Sequence, residues 1–215
     1  MRVLSVNVGH PQPNPWKTMK LTGIDKRPVE GPVMVTRPRA AGMGMVGLAG
    51  DRVYDVREHG GPDRAVYAYA REDLDFWAAQ LGRPLPSGMF GENLTTEGAD
   101  PNGALIGERW RVGGQVVLEV SATRIPCRTF AGLMDEAAWI KRFAQRALPG
   151  AYLRVITPGQ VSAGDPITVL SRPDHGVTSG TVFRALTLQP ELLPLLLDVE
   201  ALAPHQRDHA RRRVR

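Results

Sequence analysis

Short segments that alternate apolar and polar residues, or run β-branched, recur along this chain with glycine- and proline-rich turns between them. That punctuation limits the fold more than any other feature. Gly (23) and Pro (18) make 41 of 215 residues, about 19% where roughly 12% is usual, which argues against a helical bundle or coiled coil. The segments that read as strands are Arg2–Val8, Val33–Thr36, Ala65–Ala70, Glu108–Val112, Gln115–Ser121, Ala151–Ile156 and Pro166–Ser171. Gly113-Gly114 closes the fourth and fifth into a hairpin. Two helices interrupt them. Glu72–Leu81 carries Leu74, Trp77, Ala78 and Leu81 on one face, and Asp135–Leu148 carries Trp139, Phe143 and Ala147, with Asp135 as its cap. The expected fold is mostly β with inserted helices, a barrel of short strands.

The character changes after Ser171. Arg172-Pro173-Asp174-His175-Gly176 reads as a break, and Thr178 as an N-cap. Leucine-rich Pro190–Val199 and the segment Pro204–Arg215 read as further helical pieces. The expected division is therefore a β-barrel domain over 1–171 and a small C-terminal helical subdomain over 172–215. The leucines at 192, 193, 195, 196 and 197 are too many to leave in water, so they must pack on the barrel, on each other or on a partner chain. A homodimer is one such arrangement.

The formal charge of +5 is concentrated at one end. Without Arg211, Arg212, Arg213 and Arg215, 23 basic residues face 22 acidic ones. The body is nearly neutral, and aromatic residues do not alternate with basic ones, so no nucleic-acid polymer is expected as a partner. No run approaches the roughly 20 apolar residues of a membrane span. The N-terminus turns polar too early for a signal peptide. One cysteine excludes an internal disulfide framework, and a cytoplasmic setting is expected.

Several segments carry chemistry-bearing residues. Gly42-Met43-Gly44-Met45-Val46-Gly47 matches a dinucleotide fingerprint in letters only, since neither a strand before it nor a helix after it is readable. Asp51, Asp55 and His59 are four apart and would share a helix face able to hold a divalent metal, but flanking glycines and Pro62 oppose a helix. Gly60-Gly61-Pro62-Asp63 is a turn leading into a strand. Thr22–Arg27 is a turn that offers Lys26 and Arg27 to an anion. Cys127 follows the strongest strand and Pro126, between Arg124 and Arg128, where two guanidinium groups would favour thiolate.

Together these segments resemble the MOSC family, named for the molybdenum cofactor sulfurase C-terminal domain. The resemblance is to its small stand-alone bacterial branch with a three-helix C-terminal appendage. It rests on Val6-Asn7-Val8-Gly9, Thr22-Gly23-Ile24-Asp25-Lys26, Gly50-Asp51, His59-Gly60-Gly61-Pro62-Asp63-Arg64-Ala65-Val66-Tyr67, Phe90-Gly91-Glu92-Asn93-Leu94-Thr95, Ile106-Gly107-Glu108, Pro126-Cys127, Tyr152-Leu153-Arg154-Val155 and Gly164-Asp165, in that order. The segment between Val35 and Gly47 is longer and richer in Gly and Met than the family pattern, and the final arginines match no motif.

The resemblance implies a MOSC-type β-barrel holding a molybdenum–molybdopterin cofactor, with Cys127 as the protein ligand to the metal. It implies cofactor-pocket roles for Lys26, Gly60, Gly61, Arg64, Glu92, Asn93 and Arg124, and by charge Arg27 and Arg128 could join Lys26 and Arg124 in neutralising the pterin phosphate. Asp51, His59 and Asp63 are candidates to supply a proton. Similar proteins reduce N–O bonds of N-hydroxylated compounds. With no flavin or haem motif and one cysteine, this chain would take electrons from a separate flavoprotein reductase. Two other readings of Cys127 stay open: a carrier of cofactor or sulfur, and a metal-free nucleophile with His59 as base.

Overall fold

The computed structural model describes residues 1–38, 46–55 and 59–214. The Gly42–Gly47 fingerprint falls mostly outside them. Ten strands and five α-helices are present among the described residues: β1 (Arg2–Pro13), β2 (Leu21–Pro28), β3 (Val33–Val35), β4 (Val66–Ala70), α1 (Arg71–Leu81), β5 (Leu94–Glu97), β6 (Arg109–Val112), β7 (Val116–Ala122), α2 (Arg128–Met134), α3 (Trp139–Arg146), β8 (Ala151–Thr157), β9 (Gly159–Val161), β10 (Ile167–Ser171), α4 (Ser179–Thr187) and α5 (Pro204–Val214). After β10 only helices follow: α4, a 3-10 segment over Pro190–Leu196, and α5. No helix among the described residues is long and apolar enough to cross a membrane.

Eight strands form one sheet in the order β10-β6-β7-β8-β4-β5-β1-β2, and β3 pairs with β9 separately. The ladder has two ends, so it is not the closed barrel expected from the strand count. The reason lies in β1. Its outer half, Asn7–Pro13, is taken by β2, and only its first residues meet the opposite end of the sheet. There Val3 N–H donates to Asp165 O (2.9 Å), Gly164 N–H to Val3 O (2.8 Å) and Ile167 N–H to Met1 O (3.0 Å). The sheet therefore curls until its ends touch at a single bridge, Arg2 to Pro166.

Strand β4 sits inside the sheet, parallel to β5 across the α1 crossover and antiparallel to β8. All five of its residues are buried. Because side chains alternate across a strand, Val66 and Ala68 face one core and Tyr67 and Tyr69 another. The first core joins the sheet to the C-terminal helices through Val182, Ala185, Leu193, Leu196 and Leu202. Leu193 and Leu196 are thus covered from within the chain, while Leu195 stays 53% exposed. The second core is aromatic. Phe90, Phe130, Trp139 and Phe143 meet at 5.1–6.0 Å, edge to face except for the tilted Trp139–Phe143 pair, a geometry that ring quadrupoles favour.

The helix expected over Asp135–Leu148 is broken. Asp135 does not cap its start; at φ 50 it ends α2, its N–H bonding back to Ala131 O. Ala138, at φ 53, opens α3. The break lets Phe130 and Trp139 reach one core with ring centroids 5.5 Å apart. A single straight helix could not aim both there.

Candidate functional site

Cys127 is the residue just before α2, in extended backbone (φ −123, ψ 170), and its carbonyl accepts from Ala131 N–H at 2.9 Å. The thiol opens into a cavity bordered by Lys26, Asp51, Arg52, His59, Arg64 and Arg124, among others. On its other side it borders a second, wider cleft toward the C-terminal helices. Their volumes are about 100 and 530 Å³, and together they reach the scale of small-molecule sites, roughly 300–1,000 Å³. His59, Arg64, Cys127 and Tyr152 line both and form the wall between them.

Strand β2, read from sequence as a turn, is the edge strand, and its two-residue period sorts its side chains. Thr22, Ile24 and Lys26 border the cavity. Asp25 and Arg27 point the other way and pair with each other at 2.8 Å. Arg27 is therefore solvent-facing and does not border the cavity, contrary to its expected role.

Asp51 is the organising anion. It is 3% exposed, and Lys26 Nζ donates to both its oxygens at 2.5 Å. Gly9 N–H donates to Oδ1 at 2.7 Å and Asn93 Nδ2 to Oδ2 at 2.9 Å. The chain permits this approach because two glycines are bare. A Cβ on Gly9 would lie 2.9 Å from Asp51 Oδ1, and one on Gly23 2.1 Å from Arg52 O. Asn93 also accepts Tyr67 N–H through Oδ1, tying β4 to the same network.

Arg124 is buried in the cavity floor. Its guanidinium lies 3.9 Å from the Phe130 ring centroid and 5.0 Å from that of Tyr67, and it donates to Phe90 O. Burial opposes its charge, but Tyr67, Tyr152 and Cys127 around it outweigh that, and its pKa is raised. Only Arg124 of the two expected arginines faces the thiol's surroundings. Arg128, the first residue of α2, is exposed and borders neither hollow. His59 borders both hollows, and burial, followed by Arg124, lowers its pKa from 6.5 to about 4. Its imidazole is uncharged at neutral pH.

Other expected residues serve elsewhere. Glu92 is fully buried, and its carboxylate holds its own loop, accepting from Gly88 N–H (2.6 Å), Thr95 Oγ1 (2.8 Å) and Phe90 N–H (3.0 Å). Burial pushes its pKa up. It shapes the turn that carries Asn93 and does not border the cavity. Asp63 faces away, paired with Arg154 at 2.7 Å, so its carboxylate is not at hand for proton transfer to the site. Gly60 borders the cavity, while buried Gly61 starts the 3-10 turn Pro62–Arg64 that turns Arg64 toward it. The Asp51, Asp55, His59 spacing gives no metal-binding group among the described residues. Asp55 pairs with Lys17 (3.0 Å) and Asp51 with Lys26.

Sequence reading missed Tyr152, on both sides of the dividing wall. Burial pushes its phenol pKa up, and Arg124 pulls the other way. It also missed Arg52, bordering the cavity, and His205 and His209, which α5 brings to the cleft. Nothing in the sequence marked those two, because their approach depends on how α5 docks.

A family model of the MOSC domain matches residues 55–168. The protein YflK of Bacillus subtilis (strain 168) is 37% identical over 177 residues, 82% of this chain and 76% of YflK. A protein of Gibberella moniliformis named a reductase is 31% identical over 156 residues, 71% of this chain and 26% of that protein. The crystal structure of YiiM from Geobacillus stearothermophilus superposes with a TM-score of 0.80 at 25% identity, covering 100% of this chain and 99% of YiiM.

Proposed function

Since the chain belongs to the MOSC domain family, we propose that it binds a molybdenum–molybdopterin cofactor through Cys127 and reduces the N–O bond of N-hydroxylated compounds. The observation that carries this reading is one thiol opening into a hollow bordered by Arg52, Arg64 and Arg124, with the Lys26 charge balanced there by Asp51. The donor set fits the group. A soft thiolate suits molybdenum, and clustered cations suit a phosphate-bearing, anionic ligand. One relative, from Gibberella moniliformis, is named a reductase, and the matched region is 26% of it; redox chemistry in this chain agrees with that name.

When bound, the cofactor supplies the two-electron chemistry of N–O cleavage. The substrate N-hydroxyl group takes up two electrons and two protons, the N–O bond breaks, and an N–H group and water result. The protein's part is to hold the ligand and manage protons. Cys127 anchors, and Arg64 and Arg124 set a positive field around the thiol. Tyr152 keeps its Oη proton at neutral pH and borders the thiol's surroundings from both sides, so it serves as a proton source. His59, uncharged, accepts and relays. Asp51 is engaged by three donors and acts as a positioning residue for Lys26 and Asn93.

Electrons come from a separate flavoprotein, since one cysteine gives no ligand set for an iron–sulfur cluster. The test is turnover of benzamidoxime by molybdenum-loaded protein with a chemical reductant. Benzamidine should form, and Cys127→Ser should not form it. Loaded protein that reduces neither amidoximes nor N-hydroxylated bases contradicts the reductase reading and leaves cofactor carriage.

A further inference from the structure

The turn that brings His59 and Arg64 to the dividing wall is built on two glycines. Gly60 and Gly61 sit at φ 80 and φ 86, where glycine enters readily but has many other conformations open to it. Arg64 N–H donates to Gly61 O (3.1 Å) and closes the 3-10 turn. What fixes the turn on the sheet comes from outside it. Asp63, one residue before Arg64, is held twice. Its carboxylate accepts from Arg154 Nη2 at 2.7 Å, and its carbonyl accepts from Ser121 Oγ at 2.7 Å.

Both holders also reach the entry to α5. Arg154 Nη2 donates to Ala201 O (2.9 Å), and Ser121 O accepts Ala203 N–H (2.8 Å). Two parallel bridges therefore join the turn at 60–64 to the segment 201–203, one through β8 and one through β7. Arg154 is aimed from a third side. Its Nη1 donates to Glu119 Oε1 at 3.0 Å, and that carboxylate, on neighbouring β7, is 9% exposed and also takes Arg109. A planar guanidinium addresses three acceptors in one fixed geometry, which an ammonium cannot. Arg154 stands two residues after Tyr152 on the same face of β8. One strand face thus carries a residue of the wall and the grip on the turn that completes it. Neither Arg154 nor Asp63 borders the cavity or the cleft.

We propose that Arg154 is a positioning residue: by clamping Asp63, Glu119 and the Ala201 carbonyl together, it sets where His59 and Arg64 stand beside Cys127 and ties that placement to the docking of the C-terminal helices. The kinetic consequence rests on the reductase reading; the clamp itself does not. Arg154 also neutralises Asp63, and His205 on α5 feels that. Burial lowers the His205 pKa to about 4; beyond burial, Arg64 lowers it and Asp63 raises it. Its imidazole reports on the clamp from the side of α5.

The test has two arms. In the first, histidine side-chain NMR follows pH in the full chain as purified. Arg154→Gln leaves the Asp63 charge uncompensated, so the His205 pKa should rise from about 4 toward 6.5, with His10 and His175 unmoved. In the double variant Arg154→Gln, Asp63→Ala the rise should vanish. A His205 that does not move, or a rise that survives in the double variant, overturns the proposal. In the second arm, molybdenum-loaded Asp63→Ala is compared with wild type on benzamidoxime. Releasing the turn should lower kcat about tenfold, with KM and molybdenum content unchanged. Asp63→Asn, which keeps an acceptor for Arg154, should recover most of the loss. An unchanged kcat, or a fall matched by lost molybdenum, overturns the proposal, and this arm stands even where Arg154→Gln does not fold. Wild-type protein without molybdenum or turnover would instead contradict the reductase reading, and the first arm would still decide the clamp.

Discussion

Lys26 on the edge strand β2 places Nζ 2.5 Å from both carboxylate oxygens of Asp51, with only 8% and 3% of the two side chains exposed. Its sequence neighbour Arg27 is exposed and paired with Asp25. One residue along a strand separates a buried site cation from a surface one.

Lys26→Met leaves the Asp51 carboxylate buried without its cation, and about 3 kcal/mol of stability should be lost, as expected when one partner of a buried pair is removed. A double-mutant cycle with Asp51→Asn in urea should give a coupling of about 1–3 kcal/mol. Arg27→Ala should leave the urea midpoint unchanged. Additive effects at Lys26 and Asp51 would refute the pairing.

His59 and His205 both have folded pKa values lowered from 6.5 to about 4. Between those values the unfolded chain binds protons that the folded one does not. Stability is then full above about pH 6.5 and falls as pH drops toward 4. His59→Gln should flatten the decline by up to about one proton taken up on unfolding, and His205→Gln, whose side chain is exposed, by less. Urea midpoints measured from pH 4 to 7 check this, and an unchanged slope in both variants rejects it.

Buried Gln206 of α5 accepts Thr123 N–H through Oε1 (3.1 Å) and donates from Nε2 to Thr123 O (2.8 Å). Gln206→Leu keeps the apolar stem and removes both bonds, leaving a buried N–H and C=O unpaired. A loss of about 1–3 kcal/mol follows. Hydrogen exchange should show protection lost over α5 and the loop at 123–127 together. Loss confined to one of them would mean that the carboxamide does not join them.

A Cβ at Gly132 of α2 would lie 2.3 Å from the Trp16 indole. Gly132→Ala therefore cannot seat α2 against the β1–β2 loop and should lower Tm. In a Trp16→Ala background the same substitution should cost much less. Equal costs in the two backgrounds would show that the helix does not pack there.

The strands that sequence reveals are those with β-branched alternation: β1, β3, β4, β6, β7, β8 and β10. Strand β2 escapes because Thr-Gly-Ile-Asp-Lys-Arg lines a polar cavity on one face and water on the other, so hydrophobic period two is absent. The short β5 (Leu-Thr-Thr-Glu) and β9 (Gly-Gln-Val) lack the Val-Met-Val run that marks the equally short β3. The aromatic positions 139 and 143 read correctly as core, but the αL residues Asp135 and Ala138 that split the helix leave no mark in the letters. In the site, Cys127, Lys26, Asp51, His59, Arg64, Asn93 and Arg124 are reached by motif and converge on the hollow. Glu92 and Asp63 sit in the same motifs but spend their carboxylates on their own loop and on Arg154. Motif membership does not tell which way a side chain points. His205 and His209 carry no local signal, because long-range docking of α5 brings them in.

The central claim is that Cys127 anchors a molybdenum cofactor. The most direct measurement is molybdenum and pterin per chain in wild type beside Cys127→Ser, both purified from a host that makes the cofactor and loads a control protein. Near-stoichiometric molybdenum and pterin in wild type, lost in the variant, is the expected result. Equal loading of the two, or none in wild type, would contradict it.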